Sequence, residues 1–411
     1  MLVVLVAAAL GVVALAWRPA IAPIQTPDPR AFDPAVVARG AGLARLGDCI
    51  VCHTRGGGAP YAGGLGIATP FGTVYSTNIT PDRDTGIGAW SWAAFERAMR
   101  RGVRRDGAHL YPAFPYDHFR LASAQDIDAL YAFLMTRRPV RALAPANRLI
   151  FPLGFRPLLA GWKLLFLKAP PAPGRDRGAE LVLGLGHCGA CHTPHGRLGQ
   201  ELWDRELDGG SAEGWYAPPL NGRSPAATPW TAERLYAFLR TGLDPDHAAA
   251  AGPMRAVSRD LSGAPEADVR AIAGYVARRM SAAPAARGTS PPPPDRLVKA
   301  AHDHPEGAIL FAGACASCHE AGAPMMLAGR PPLQLGSPMH EETPRNAILM
   351  IRQGLEPPVG RSGPYMPAFG GAFTDAQTAE LLAYLRERFS DRPPWPELQA
   401  AVRKAREETR G

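Results

Sequence analysis

Cys49-Ile50-Val51-Cys52-His53 is repeated twice more, as Cys188-Gly189-Ala190-Cys191-His192 and Cys315-Ala316-Ser317-Cys318-His319. These three stretches use all six cysteines of the 411-residue chain, and none is left over. C-x-x-C-H is the attachment signature of c-type haem: two thiols add to the haem vinyl groups, and the adjacent imidazole binds the iron. The short spacing lets one helical turn present both sulfurs and the ring to the same macrocycle. A structural zinc site would need four ligands from two such half-sites close together. Here 139 and 127 residues separate successive first cysteines. A disulfide or thioredoxin-like pair has no need of the histidine, and would not recur with it three times. The pattern therefore predicts three covalently bound haem c groups, on Cys49, Cys52 and His53, on Cys188, Cys191 and His192, and on Cys315, Cys318 and His319.

The repetition extends outward from the motifs. Before each lies a short helical pattern: Arg39-Gly40-Ala41-x-Leu43, Arg177-Gly178-Ala179-x-Leu181 and Glu306-Gly307-Ala308-x-Leu310. After each comes an amphipathic segment that opens on a capping-type residue and carries an aromatic on its core face. These segments are 123–135 with Tyr131, 262–278 with Tyr275, and 374–389 with Tyr384. The fold class read from this is all-α, three tandem cytochrome c domains behind an N-terminal hydrophobic anchor. The expected division is 1–24 signal-anchor or signal peptide, 31–140 first domain, 141–172 apolar linker, 173–282 second domain, 283–300 Pro-rich linker, 301–392 third domain and 393–411 polar tail.

The residue opposite each proximal histidine is expected in the loop before the last helix. Methionine there raises the reduction potential, histidine lowers it, and an empty position permits ligand chemistry. Met366, in Gly363-Pro364-Tyr365-Met366-Pro367, and Met254, in Gly252-Pro253-Met254, each precede their last segment by eight residues. The metal ligands read from the sequence are thus His53, His192, Met254, His319 and Met366. The first repeat departs from this, because Leu110-Tyr111-Pro112-Ala113-Phe114-Pro115-Tyr116 places Phe114 where a methionine would sit, and phenylalanine cannot coordinate iron. Met99, His109, His118, Met135 or no protein ligand remain, with Met135 better read as core.

Composition sets outer limits. Hydrophobic residues make up 46% and charged residues 20%, so the chain can build cores. The net charge of +8 comes from 41 Arg and 4 Lys that are scattered, without a phosphate-binding stripe, so nucleic acid is not an expected partner. Residues 1–17 are an uncharged apolar run, the short end of what spans a bilayer. Trp17-Arg18-Pro19 reads as an interface anchor, with cleavage after Ala14-Leu15-Ala16 the alternative. Pro291 to Pro294 is a stiff spacer. Residues 149–168 are apolar but broken by Pro152 and Pro157. They read as a segment lying on a membrane interface or a partner subunit, or else folded onto the chain's own domains.

The stretches Thr69-Pro70-Phe71-Gly72-Thr73-Val74-Tyr75-Ser76-Thr77-Asn78-Ile79-Thr80-Pro81-Asp82, Leu110 to Tyr116, and Arg156-Pro157-Leu158-Leu159-Ala160-Gly161-Trp162-Lys163 carry a resemblance that spans about residues 30–390. The chain resembles the triheme cytochrome c subunit of bacterial membrane-bound dehydrogenases. That family includes the cytochrome subunits of quinoprotein alcohol dehydrogenase, of flavin gluconate and fructose dehydrogenases, and of molybdenum-dependent aldehyde or nicotinate-type dehydrogenases. Alcohol and sugar dehydrogenase members carry a first axial methionine at the position of Phe114, so that ligand does not carry over. Phe114, with Trp215-Tyr216-Ala217-Pro218 and Gly252-Pro253-Met254, is similar to the branch accompanying molybdopterin hydroxylases. The resemblance implies an electron-transfer subunit at the periplasmic face of a bacterial inner membrane. Its partners would be a molybdopterin and iron–sulfur dehydrogenase as donor and ubiquinone or a terminal oxidase as acceptor, with no catalytic residue of its own towards the organic substrate. The alternatives are the cytochrome subunit of a PQQ alcohol or flavin gluconate or sugar dehydrogenase, and a haem enzyme or sensor using an open sixth position in the first repeat.

Overall fold

Asp33 and Pro34 open the first long helix for local reasons. The Asp33 carboxylate accepts from the Ala35 N–H at 2.8 Å, and proline at the first helical position brings a preset φ and no orphan donor. In the computed structural model this helix is α1 (Pro34–Leu46). The structure describes residues 16–167, 176–281, 293–323, 325, 331–360 and 365–409. The anchor expected in residues 1–24 therefore lies largely outside the described residues, as does the proline run at 291–292. The described chain is mainly helical with three small antiparallel sheets. It divides into two compact units, residues 1–190 with 195–201, and residues 191–194 with 202–411. The division passes through the second C-x-x-C-H stretch rather than between repeats.

In the first unit α1 is followed by α2 (Cys49–Cys52), the hairpin β1 (Gly66–Thr69) and β2 (Gly72–Tyr75), α3 (Trp92–Arg101), α4 (Tyr116–Phe119) and α5 (Ala124–Met135). A two-residue strand β3 (Arg148–Leu149), α6 (Leu158–Phe166), α7 (Arg177–Glu180) and α8 (Gly189–His192), which runs into the second unit, follow. Residue 123 begins the predicted last helix of the first repeat as expected, because the Ser123 hydroxyl caps the Asp126 N–H at 3.0 Å. α1 and α5 cross at Gly40. A Cβ there would lie 1.9 Å from the Ala129 carbonyl oxygen and 2.7 Å from the Phe133 side chain, so only glycine admits this approach. Asp126, with a side chain 2% exposed, locks the crossing by accepting from Arg39 of α1 at 2.7 Å and Arg177 of α7 at 2.8 Å.

The second unit contains β4 (Gly210–Ala212) and β5 (Trp215–Ala217), α9 (Ala232–Thr241), α10 (Pro253–Ser262) and α11 (Glu266–Ser281). After them come α12 (Leu297–Asp303), α13 (Pro305–Ala314), α14 (Ala316–His319), α15 (Arg345–Gln353), α16 (Asp375–Phe389) and α17 (Leu398–Glu408). α13 and α16 repeat the glycine crossing, since a Cβ on Gly307 would meet the Glu380 carbonyl oxygen at 2.4 Å and the Tyr384 Cβ at 2.7 Å. Thr374 and Gln377 form the reciprocal capping box that opens α16. Its buried face, with Leu381, Leu382, Tyr384, Leu385 and Phe389, packs on Phe311 and Ile348.

Three helical segments differ from expectation. The helix predicted over 262–278 begins at Glu266 and extends to Ser281, because Ser262 closes the preceding helix with its hydroxyl on the Arg259 carbonyl and Gly263 follows. Met254, expected in a loop, stands in the first turn of α10, since Pro253 occupies the first helical position and starts the helix early. The helical pattern at 177–181 is helical for a turn and then widens into a π-type turn over Leu181–Leu185.

Candidate functional site

The three C-x-x-C-H stretches each coil into a single helical turn, α2, α8 and α14, as the spacing requires. Around the first two, the chain builds the same frame. His53 Nδ1 lies 2.6 Å from the Thr77 carbonyl, and His192 Nδ1 lies 2.6 Å from the Pro218 carbonyl. A carbonyl only accepts, so each ring carries its proton on Nδ1 and leaves Nε2 as the lone-pair nitrogen. Burial pushes the affinity of both rings for a second proton down, and the backbone bond only partly offsets this, so both stay neutral. A neutral imidazole with one nitrogen tied to a carbonyl is the form that ligates a metal.

The acceptors are delivered by matching devices. Thr77 follows β2 and Pro218 follows β5, each the second strand of an antiparallel hairpin. The carbonyl of each histidine is held as well, by the Gly63 N–H at 2.7 Å and the Gly209 N–H at 2.8 Å. The second hairpin is further fastened by Asn346. Its Oδ1 accepts from the Tyr216 N–H at 3.0 Å, and its Nδ2 donates to the Tyr216 carbonyl at 2.9 Å and to Glu341 Oε1 at 3.0 Å. Glu341 is 2% exposed, and burial pushes its carboxyl up to about 8, so it is protonated at neutral pH. In the third repeat Glu320, next after His319, is gripped by the buried Arg388, whose Nη2 donates to Oε1 at 2.6 Å while Nε donates to Asp295 at 2.8 Å.

The residues read as sixth ligands fall in different settings. Met366 is half-buried, joined to Leu355 by backbone bonds in both directions (2.9 and 3.1 Å), and packs against the third repeat's core. Met254 is half-buried in the first turn of α10. Phe114 packs edge-on against Phe119 at 5.2 Å between ring centres. Met99 is buried on α3, and Met135 is wholly buried at the end of α5. His109 and His118 are both committed elsewhere. His109 Nε2 donates to the Ala16 carbonyl at 3.0 Å while its Nδ1 accepts from Lys163 Nζ at 3.1 Å. His118 Nδ1 donates to the Leu183 carbonyl at 2.7 Å, and its Nε2 meets Glu201 at 2.6 Å. Both nitrogens of each ring are hydrogen-bonded in this structure. Sequence reading missed Thr77, Pro218 and Glu201, because only the hairpins and the chain reversal bring them to their histidines.

The donor set fits covalent haem c at the first two motifs: two cysteines one turn apart and a neutral imidazole, half-buried at His53 and buried at His192, with its tautomer fixed. Comparison with known proteins agrees. Residues 302–385 match the family model described as cytochrome C oxidase, cbb3-type, subunit III. The chain is 45% identical to a nicotinate dehydrogenase subunit of Pseudomonas putida over 97% of its own length, but spans only about a third (34%) of that relative. It is 35% identical to the cytochrome c subunit of alcohol dehydrogenase (quinone) of Gluconacetobacter polyoxogenes, covering 93% of this chain and 86% of the relative. It is 39% identical to the gluconate 2-dehydrogenase cytochrome c subunit of Pantoea cypripedii, covering 86% and 85%.

Proposed function

The chain belongs to the family of dehydrogenase cytochrome c subunits, and from that premise we propose that it holds three haem c groups and relays electrons from a catalytic dehydrogenase subunit to ubiquinone or a terminal oxidase. The observation that carries this reading is the threefold C-x-x-C-H repeat, with the matched carbonyl clamps on His53 and His192. When bound, haem c supplies reversible one-electron chemistry at iron. The chain's own residues do the rest. Cys49 with Cys52, Cys188 with Cys191, and Cys315 with Cys318 attach the macrocycles, while His53, His192 and His319 are the proximal ligands. Met254 and Met366 would supply the second protein ligand at the second and third sites and would keep those potentials high. Phe114 leaves the first site without its methionine, which sets it apart in potential.

The partner proposed is a molybdopterin and iron–sulfur dehydrogenase acting on an aldehyde or N-heterocycle, supported by the identity to the nicotinate dehydrogenase relative and by Phe114. A second reading has its own support. Quinone-dependent alcohol dehydrogenase and gluconate dehydrogenase cytochrome subunits match over nearly their whole length, which favours a PQQ or flavin partner. The location proposed is the periplasmic face of the inner membrane. Among the described residues no helix is long and apolar enough to cross a membrane. α6 and the turn before it instead expose Phe151 (97%), Phe155, Leu164 and Leu165, an apolar surface of the kind that meets an interface.

The test is the cofactor content of the complex purified through this chain in mild detergent. Stoichiometric molybdenum supports the hydroxylase partner. Flavin or a quinone cofactor in its place overturns that choice and selects alcohols or sugar acids as substrates.

A further inference from the structure

Three histidines share one arrangement, with Nδ1 tied to a backbone carbonyl and Nε2 turned towards a task. His53 and His192 belong to C-x-x-C-H motifs; His118 does not. Its Nδ1 donates to Leu183 at 2.7 Å, and its Nε2 faces Glu201 Oε1 at 2.6 Å. Asp117 completes the group: one ligand-type atom from each of Asp117, His118 and Glu201 lies within 4.8 Å of the others. The side chains of His118 and Glu201 are 1% and 4% exposed, and Glu201 Oε2 is buried with no hydrogen-bond partner among the described residues.

Two carboxylates and one imidazole are thus packed together, Asp117 half-buried and the other two buried, with one Glu201 oxygen unsatisfied among the described residues. Burial pushes the Asp117 carboxyl up, and Glu201 adds to this. Burial alone would weaken proton binding by His118, yet Glu201 and Asp117 hold it at about 9. With both carboxylates ionised and that proton in place the cluster carries one net negative charge, whose burial is costly. A divalent cation replacing the proton would make it neutral and give Glu201 Oε2 a partner. One nitrogen and carboxylate oxygens, with the second imidazole nitrogen on a carbonyl, is a donor set and outer shell that zinc accepts.

We infer that Asp117, His118 and Glu201 supply the three protein ligands of a divalent-cation site, with water as the fourth, that is separate from the haem motifs and fastens the 195–201 segment to α4. Binding Zn²⁺ releases the proton that His118 otherwise holds, so Zn²⁺ and neutral His118 replace imidazolium.

The test uses the full, haem-loaded chain, purified without chelators or an affinity tag that binds metal. Elemental analysis is expected to find about one zinc per chain beside the haem iron. Glu201→Gln and Asp117→Asn should each lose that zinc while haem content stays constant, and His302→Gln, at an exposed histidine, should keep it. Zinc-edge X-ray absorption on the unmutated chain, which depends on no variant folding, should show one imidazole with oxygen ligands and no sulfur. A chain that neither retains zinc nor takes it up on titration, zinc held equally by Glu201→Gln, or a sulfur shell would each overturn the site.

Discussion

The first and third repeats solve one packing problem with opposite charges. In the first, α1 and α5 cross at Gly40, and a buried anion, Asp126, is held by Arg39 and Arg177, whose side chains are 54% and 32% exposed. In the third, α13 and α16 cross at Gly307, and a buried cation, Arg388, is held by Asp295 and Glu320, 35% and 41% exposed. The scaffold is the same and the lock is inverted. A helix crossing fixed by backbone proximity leaves the surrounding chemistry free to differ, and the residue at the expected distal position differs too, Phe114 in one repeat and Met366 in the other.

That distal difference gives the largest expected effect. Met366→Ala should lower the third site's potential on the order of tenths of a volt, within the ~0.8 V that axial ligands command. The same change should open that site to carbon monoxide. Phe114→Met should raise the first site's potential and narrow the spread between the two. Potentiometric titration followed optically checks both, and an unchanged spread after both substitutions would break the comparison.

Next come the crossings themselves. Gly40→Ala and Gly307→Ala each put a methyl against a backbone carbonyl that cannot rotate away, so each should cost about 3 kcal/mol. Denaturant unfolding measures this, and equal losses would show that the two crossings are equivalent. The locks should separate them. Asp126→Asn weakens a pair whose arginines are part-solvated, at about 1–2 kcal/mol. Arg388→Met leaves two part-exposed acids but strips a buried guanidinium from Phe311 and Phe389, at about 2–3 kcal/mol.

The locks also make a pH prediction. Although burial by itself would raise the Asp126 carboxyl, Arg177 and Arg39 hold it below the usual range. Its contribution is therefore present above the ordinary aspartate value of about 3.9 and is lost as pH falls through the folded value. Asp126→Asn should flatten that acid limb. Glu341 has the opposite sign. Its carboxyl, raised to about 8, contributes fully below about 4.3 and loses that contribution as pH rises towards 8. Glu341→Gln should remove that loss, so that stability no longer falls as pH rises from about 4.3 towards 8. Thermal melts between pH 3 and 9 check both limbs.

What could be read from the sequence was local. The single-turn motifs, the cap at Ser123, the capping box at Thr374 and the helices they open depend on neighbours within a few residues. What escaped depends on chain reversal. The acceptors Thr77 and Pro218 lie 24 and 26 residues beyond their histidines and arrive only through hairpins. Glu201 reaches His118 across 83 residues, a contact no local pattern announces. Met254 falls in a helix rather than the expected loop because Pro253 acts as a helix start. The boundary between the two compact units, at Ala190 and Cys191, is likewise not visible in local periodicity.

The central claim is that three repeats of one motif each hold a haem. The intact mass of the denatured full chain, matured in a host that exports and attaches haem, tests it most directly. The account predicts a mass increment of three haem c groups, falling by one when Cys49 and Cys52 are replaced together by alanine. An increment of two or fewer in the unmutated chain, or one unchanged by that replacement, would contradict it.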